Sequence, residues 1–378
     1  MKKTTVLIGI IFFTTIFGCK ESTNKLGENE FVLKGELEGI KNDSWIYLIF
    51  DNKPVDSTKI IDNKFSINGV TEHPKQYNLL IKNSQNYTRI WLESGELKFK
   101  AKDGEFKDAI IEGSNSQKES EKLWKPIWEY RKRRDSLSKI VYNNELNDSL
   151  KLNAKLELKK VQQNRLKIES DFIKNNPQSY VSAKTLDFYA TSLPKKTVYE
   201  LYDGFSDEIK KSSYGKSVKR FLDLNQNPQI GDKYVDFTMP NENNKLVKLS
   251  DFEGKLILLE FWASWCGPCK KEYPALRKAY SKFHSNGFEI VSISEDQTKE
   301  QWLKAIDENK LNWINLWQKG GNNADPYLIY GINGIPANFL IDENGIIIEQ
   351  DLKGEKLISK IEEKLKDKAK KKLTDLFG

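Results

Sequence analysis

Two cysteines separated by two residues, in Trp265-Cys266-Gly267-Pro268-Cys269-Lys270, are the residues of this chain whose spacing most directly implies chemistry. The apolar run Leu256 to Trp262 ahead of them reads as a buried strand. Lys270 to His284 has helical composition, with Ala275, Leu276, Ala279, Tyr280 and Phe283 recurring at helical spacing. The pair therefore falls where a strand gives way to a helix, with the first thiol at the helix N-terminus. Unpaired backbone N–H groups and the positive end of the helix dipole stabilise an anion there, so Cys266 should ionise more readily than a free cysteine. A thiolate is the species that attacks a disulfide. Cys269, one helical turn on and more shielded, is placed to break the resulting mixed disulfide and release reduced substrate. Pro268 occupies an early helical position, where no N–H is needed.

Other uses of such a pair fit less well. A structural zinc needs four ligands, and the rest of the chain offers only His73, His284 and Cys19. A purely structural disulfide across so short a loop constrains the unfolded chain very little. Dithiol redox chemistry is the reading the spacing favours, and it requires no metal and no organic cofactor.

The segment Glu260-Phe261-Trp262-Ala263-Ser264-Trp265-Cys266-Gly267-Pro268-Cys269-Lys270 resembles the active-site segment of the thioredoxin superfamily. Gly334-Ile335-Pro336-Ala337-Asn338-Phe339-Leu340-Ile341-Asp342 resembles that superfamily's cis-proline segment, followed by the turn Asp342-Glu343-Asn344-Gly345. Upstream, Ile230-Gly231-Asp232, Val235-Asp236-Phe237-Thr238 and the stretch Val247 to Lys255 resemble the opening of the exported TlpA/ResA-like branch, which shares features with the peroxiredoxins. The resemblance covers roughly residues 228 to 366.

It implies a role for several residues. Pro336 would be cis and lie against the cysteines, exposing main chain of Ile335 to which an extended substrate segment could add like a strand. Glu260, six positions before Cys266 where the superfamily has a buried Asp, would be desolvated among Leu258, Leu259, Phe261 and Trp262. Its pKa would rise, and it would accept the proton of Cys269 through water. Trp262 and Trp265 flank the pair and would supply a flat apolar docking surface, with core packing the alternative for both and Trp265, beside Gly267 and Pro268, the better candidate for an exposed ring. Trp313 and Trp317 read as packing residues. The peroxiredoxin pattern Pro-x-x-x-Thr/Ser-x-x-Cys is absent, because residues Leu258 to Trp265 supply neither the proline nor the hydroxyl in place. Thiol peroxidase chemistry is thereby a minor alternative.

These residues need a scaffold, and the rest of the chain divides by composition. Met1-Lys2-Lys3 and the apolar run Val6 to Phe17 read as a secretory signal, too short to span a bilayer comfortably. Gly18-Cys19 at its end resembles a bacterial lipobox, with Ile16 and Phe17 departing from the usual pattern, so residues 1–18 are expected to be a lipoprotein signal and Cys19 the lipidated residue. Residues 19–30 are polar, a tether. From 31 to 114, short β-rich runs such as Ser44 to Phe50, Tyr77 to Ile81 and Thr88 to Leu92 alternate with turn residues, which predicts a β-sandwich. That region resembles an uncharacterised domain found ahead of thioredoxin-like domains in exported Bacteroidota lipoproteins, and it contains no catalytic constellation. Residues 115–227 are Lys/Glu/Leu-rich with helical periodicity through Leu146, Leu150, Leu156, Leu158, Val161, Leu166 and Ile168, punctuated by Pro177 and Pro194. The cluster Arg131-Lys132-Arg133-Arg134 among acids reads as a solvated helix face, with no aromatic-basic pattern for nucleic acid. Residues 228–378 hold the redox motifs and end in a basic helix with a weak attraction for anionic lipid heads.

The expected architecture is therefore multidomain: an N-terminal all-β sandwich-like domain, an α-helical middle region and a C-terminal α/β thioredoxin-like domain. At 378 residues the chain exceeds one typical domain, and 38% hydrophobic content supports modest cores but not a polytopic membrane protein. The expected function is a membrane-tethered, periplasm-facing thiol:disulfide oxidoreductase that reduces exported proteins. Its partners would be protein thiols or disulfides, by resemblance including apocytochrome c, an upstream membrane electron donor, and the membrane through the lipid anchor. Gly267-Pro268 resembles the reducing members of the superfamily. A disulfide oxidase or isomerase is the runner-up enzyme, and a non-catalytic binding or scaffold lipoprotein is the reading from another class.

Overall fold

Alternation of apolar and polar residues from Glu30 onward produces strands with one buried face. In this computed structural model, which describes residues 26–377 apart from 51–52, 86, 103–104 and 144, with side chains through 370, eight strands form there. They are β1 (Glu30–Leu37), β2 (Trp45–Phe50), β3 (Lys53–Lys59), β4 (Lys64–Val70), β5 (Lys75–Ile81), β6 (Tyr87–Leu92), β7 (Gly95–Ala101) and β8 (Ile110–Glu112). They make two four-stranded sheets, β4-β1-β7-β8 and β3-β2-β5-β6. One core joins the inward residues of both, with Leu33, Phe65, Leu97 and Phe99 from the first and Ile46, Leu79 and Ile90 from the second. This is the sandwich that the alternation predicts. Gly35 on β1 leaves room for the Phe65 ring, which a Cβ there would meet at 1.8 Å. The apolar run at 6–17 and Cys19 lie outside the described residues.

By contacts along the backbone the chain divides after Lys118, and everything beyond forms a second compact unit. Its first part is helical: α1 (Asn115–Val141, beginning just before the division), α2 (Asp148–Asn175), α3 (Tyr180–Tyr189), α4 (Lys195–Asp203), α5 (Asp207–Lys211) and α6 (Ser213–Leu224). Asn147, Ser179, Ser206 and Ser212 cap α2, α3, α5 and α6 by accepting from first-turn amides. The leucine stripe expected along α2 is only partly buried, since Leu150 and Leu156 are exposed. Helix α6 docks this helical region on the C-terminal part of the same unit. Asn225 just beyond it donates to Leu328 O at 2.8 Å, the Gln226 and Asn227 amides donate to Ile329 O, and Arg220 pairs with Asp325.

The last part is built on a five-stranded sheet ordered β13-β12-β11-β14-β15. After a short hairpin of β9 (Thr238–Pro240) and β10 (Leu246–Lys248), the strands and helices run β11 (Leu256–Trp262), α7 (Gly267–Phe283), β12 (Phe288–Ser294), α8 (Lys299–Asn309), β13 (Ile314–Trp317), α9 (Asp325–Ile329), β14 (Ala337–Ile341), β15 (Ile347–Gln350) and α10 (Gly354–Phe377). Strand β11 pairs parallel with β12, from Leu256 opposite Phe288 to Trp262 opposite Ser294, and antiparallel with β14. All seven residues of β11 and all seven of β12 are buried, as expected for central strands covered on both faces. Two separate cores result. Leu256, Leu258 and Trp262 join Tyr273, Leu276, Trp302, Leu357 and Ile361 on one face, while Ile257, Leu259 and Phe261 join Phe237, Met239, Tyr327 and Phe339 on the other. Asp236 ties two of the upstream sequence motifs together, accepting from Ser250 N at 3.0 Å and Ser250 Oγ at 2.8 Å.

Truncation at the centre of β11 should therefore be far more damaging than on the bare face of α2. Leu258→Ala, at a fully buried site, is expected to cost about 2–5 kcal/mol, and Leu152→Ala, 58% exposed, no more than about 0.5 kcal/mol. Urea unfolding followed by far-UV circular dichroism measures both, and equal costs would contradict this placement of the core.

Candidate active site

Residue parity along β11 decides which side of the sheet each group serves. Glu260 falls in step with Leu258 and Trp262, so its carboxyl faces the core that also contains Cys266 and Cys269. It is 3% exposed. Its strand neighbours in register are Ser292 on β12 and Asn338 on β14. The Ser292 hydroxyl donates to Glu260 Oε2 at 2.6 Å, and the Trp313 indole N–H donates in turn to Ser292 Oγ at 2.7 Å. Asn338 is engaged elsewhere, exchanging both of its side-chain bonds with the Leu352 main chain.

Desolvation raises the Glu260 pKa to about 7. The Ser292 hydrogen bond opposes that rise, and the charge of Glu272 on α7 adds to it. Glu272 itself accepts from Gly354 N at the start of α10, at 2.9 Å. Three more polar groups sit in this core without a hydrogen-bond partner among the described residues, the Trp262 and Trp302 indole N–H groups and the Tyr273 hydroxyl. Burial, and then the nearby carboxylates Glu260 and Asp296, push the Tyr273 hydroxyl well above its ordinary pKa.

The two cysteines lie where strand becomes helix. Cys266 is the N-cap of α7 with extended backbone, and its Sγ accepts from Cys269 N at 3.1 Å. The sulfurs are joined in a disulfide. Cys266 keeps 3% exposure and Cys269 none, so any approach from solvent meets Cys266 first. Gly267 and Pro268 form the first turn, and a Cβ at Gly267 would meet nothing within 4 Å, which leaves that side of the pair open. Trp262 and Trp265 part company. The former is fully buried, with its ring edge-on to Tyr273 at 5.9 Å, and the latter is 59% exposed.

The loop from Ala263 to Trp265 is fixed from below. Asp296, fully buried after β12, accepts from Ser264 N at 3.0 Å, Ser264 Oγ at 2.6 Å and Ser294 Oγ at 2.8 Å. Its carbonyl accepts the Trp317 indole N–H at 2.7 Å. Tyr327 on α9 donates toward both Trp262 O and Ile293 O, at 3.3 and 3.0 Å, closing the ends of β11 and β12. Beside Asp296, half-buried Glu295 is raised to about 7 by burial and then by its neighbour's charge.

Opposite lies the proline segment. The Ile335–Pro336 peptide bond is cis. Ile335 is half-buried against both cores, and its main chain takes no part in the β11–β14 ladder, which ends at the Phe261–Ala337 pair. A Cβ at Gly334 would again meet nothing within 4 Å. The structure thus brings Glu260, Cys266, Cys269 and Ile335 to one core, with Trp265 at the surface. Reading residues alone missed Ser292, Asp296, Glu272, Tyr273 and Tyr327, and it gave Trp313 and Trp317 only a packing role. A serine in the middle of the apolar run of β12 was the one visible signal. Among the described residues no cluster of three or more His, Cys, Asp or Glu side chains is arranged to hold a metal ion.

Glu260 gives the site a measurable pH signature. Unfolded, it releases its proton near its ordinary 4.5; folded, it holds the proton to about 7. The native state therefore binds more protons across that window, and stability falls as pH rises through it, by about 3 kcal/mol once both states are ionised. Glu260→Gln removes this loss while keeping an acceptor for Ser292. The variant should gain on the parent between pH 4.5 and pH 7, as read from urea midpoints, and parallel profiles would show that Glu260 titrates normally.

Residues 230–350 match the AhpC/TSA family, and residues 31–120 match a domain of unknown function, DUF4369. The chain is 34% identical over 138 residues to the thiol-disulfide oxidoreductase ResA of Bacillus thuringiensis subsp. konkukian, covering 36% of this chain and 78% of that protein. With ResA of Oceanobacillus iheyensis the identity is 34% over 154 residues, covering 40% of this chain and 78% of that protein. Among solved structures, the thioredoxin domain of a thiol-disulfide oxidoreductase from Bacteroides vulgatus shares 34% identity, covering 36% of this chain and 96% of that one, with a TM-score of 0.34.

Proposed function

This chain belongs to the ResA family of thiol-disulfide oxidoreductases, and from that premise we propose that it reduces disulfides of exported proteins from a membrane-tethered position on the periplasmic side. The observation that carries the reading is the Cys266–Cys269 disulfide capping α7, with the Cys269 amide directed at the Cys266 sulfur. In the reduced protein that amide and the helix dipole favour a Cys266 thiolate. The thiolate attacks one sulfur of a substrate disulfide, forming a mixed disulfide and releasing the other sulfur as a thiolate. Cys269 then attacks the Cys266 sulfur and expels the second substrate thiolate. Two electrons have passed to the substrate and the pair is left oxidised. A dithiol donor at the membrane restores it. Glu260, on the same face of the sheet and partly ionised near neutral pH, accepts the Cys269 proton through water. Trp265, Gly267 and Pro268 form the docking rim, with Ile335 main chain beside Pro336 pairing with an extended substrate segment.

The anchor in this reading is an acyl chain on Cys19. No helix of the described residues is long and apolar enough to cross a membrane. The segments 31–114 and 115–227 serve as binding or spacing modules ahead of the redox module 228–378. Peroxide turnover is disfavoured despite the AhpC/TSA match, because Leu258 to Trp265 lack the proline and hydroxyl that set a peroxidatic cysteine.

The direction is tested by the equilibrium potential of the pair, followed by tryptophan fluorescence in thiol/disulfide buffers. A value near or below roughly −270 mV is expected for a reductase, whereas one near roughly −120 mV would make the protein an oxidant. Cys266→Ser should abolish reduction of a protein disulfide, Cys269→Ser should accumulate the mixed disulfide, and Glu260→Gln should slow release from it by about a hundredfold. Labelling with a radioactive fatty acid in cells should mark the protein and fail in Cys19→Ser; labelling that survives would remove the anchor from the proposal.

A further inference from the structure

The basic run at 131–134 does not behave as one solvated face. Arg131 and Arg134, three apart on α1, line a cavity of about 210 Å³ against α2 and the end of α3. Lys132 and Arg133 are exposed and do not line it. Across the cavity, α2 contributes Arg165 together with Leu158, Val161 and Leu166.

The charge in this cavity is incompletely matched. The Arg165 side chain is 19% exposed, donates from Nε to Glu169 Oε1 at 3.2 Å and lies over the Tyr189 ring at 5.0 Å. Glu169 is itself raised to about 7, chiefly by burial, so it neutralises Arg165 only in part near neutral pH. Arg131 rests on the Trp124 and Trp128 rings at 5.5 and 5.9 Å and has no carboxylate partner among the described residues. Arg134 pairs with the adjacent Asp135, an exposed contact of little worth. Tyr189, in the cavity wall, has a buried hydroxyl with no partner among the described residues, a group that gains from an incoming acceptor.

We infer that this cavity is a binding site for a small organic anion, with a carboxylate or phosphate group held by Arg131, Arg134 and Arg165 and an apolar body resting on Leu158, Val161 and Leu166. Guanidinium forks match both anionic groups in bidentate geometry. The volume, below the roughly 300–1,000 Å³ of sites for drug-sized ligands, limits the body to one ring or a short branched chain. Another basic depression of this unit, lined by Lys210, Lys216, Lys219 and Arg220, is less suited, because Asp223 and Asp325 also line it and already pair with Lys219 and Arg220. All the residues of this cavity lie outside the redox segment 228–378.

Calorimetric titration of the full chain with phenyl phosphate and with benzoate tests it, with phenol and inorganic phosphate as controls. One site with a Kd of about 1 mM or tighter is expected for at least one aromatic anion, with phenol and inorganic phosphate each at least about tenfold weaker. The double variant Arg131→Gln/Arg134→Gln should weaken binding by about tenfold or more while lowering the thermal midpoint by only a few degrees, since Arg131 gives up ring contacts with Trp124 and Trp128 and Arg134 an exposed pair with Asp135. Tyr189→Phe should weaken it less. Failure of both aromatic anions to bind, equal binding of inorganic phosphate, or undiminished binding by the double variant would overturn the assignment.

Discussion

Strand β11 is enclosed on both faces, so its one charged residue has no route to solvent and must be satisfied by the strands beside it. Glu260 meets this constraint through Ser292, the residue directly across the parallel pairing, and Ser292 is oriented by the Trp313 indole. The alternation that places Leu258 and Trp262 in the core beneath α7 places the carboxyl there too. The same enclosure that makes the sheet stable thus raises the pKa of a carboxylic acid to about 7 on the face of the sheet whose core holds the two cysteines.

Positioning the sulfurs is a separate task, accomplished by groups that never touch them. Asp296 gathers the Ser264 amide and hydroxyl and the Ser294 hydroxyl, and Tyr327 bridges the carbonyls that end β11 and β12. The chain leaving β11 is thereby fixed before it reaches Cys266, whose extended backbone lets it cap α7. A buried carboxylate accepting several hydrogen bonds is well suited to this, because removing any donor would leave a desolvated charge uncompensated. Rigidity behind the pair and open space at Gly267 and Gly334 are complementary: the protein side is set and the solvent side is left free for a partner.

Much of this was legible in residue order. The apolar run Leu256 to Trp262, interrupted only by Glu260, announced a buried strand, the two-residue spacing of the cysteines announced the chemistry, and turn-separated alternating runs after residue 30 announced a sandwich. These signals are local, written within a turn or a strand. Ser292, Asp296 and Tyr327 were not legible, because each acts on residues 32 to 65 positions away. The leucines of α2 misled in the opposite sense. Helical periodicity reports that a stripe exists, not that something covers it, and Leu150 and Leu156 stay exposed.

By itself, then, the sequence determined the three-part architecture, the dithiol chemistry and the residue, Glu260, that stands six places before the first thiol. The β runs, the helical stretch and the cysteine pair follow from periodicity, composition and covalent spacing, which are properties of a segment, whereas Glu260 was reached through the resemblance to the thioredoxin active-site segment. Only the tertiary structure decided which face Glu260 shares, what satisfies it, what anchors the loop before Cys266, and that Arg131 and Arg134 turn toward Arg165 while Lys132 and Arg133 stay outside. Those depend on which strands pair and which helices meet, and the free energy of such pairings is set by burial across the whole fold and not by any one stretch of the chain.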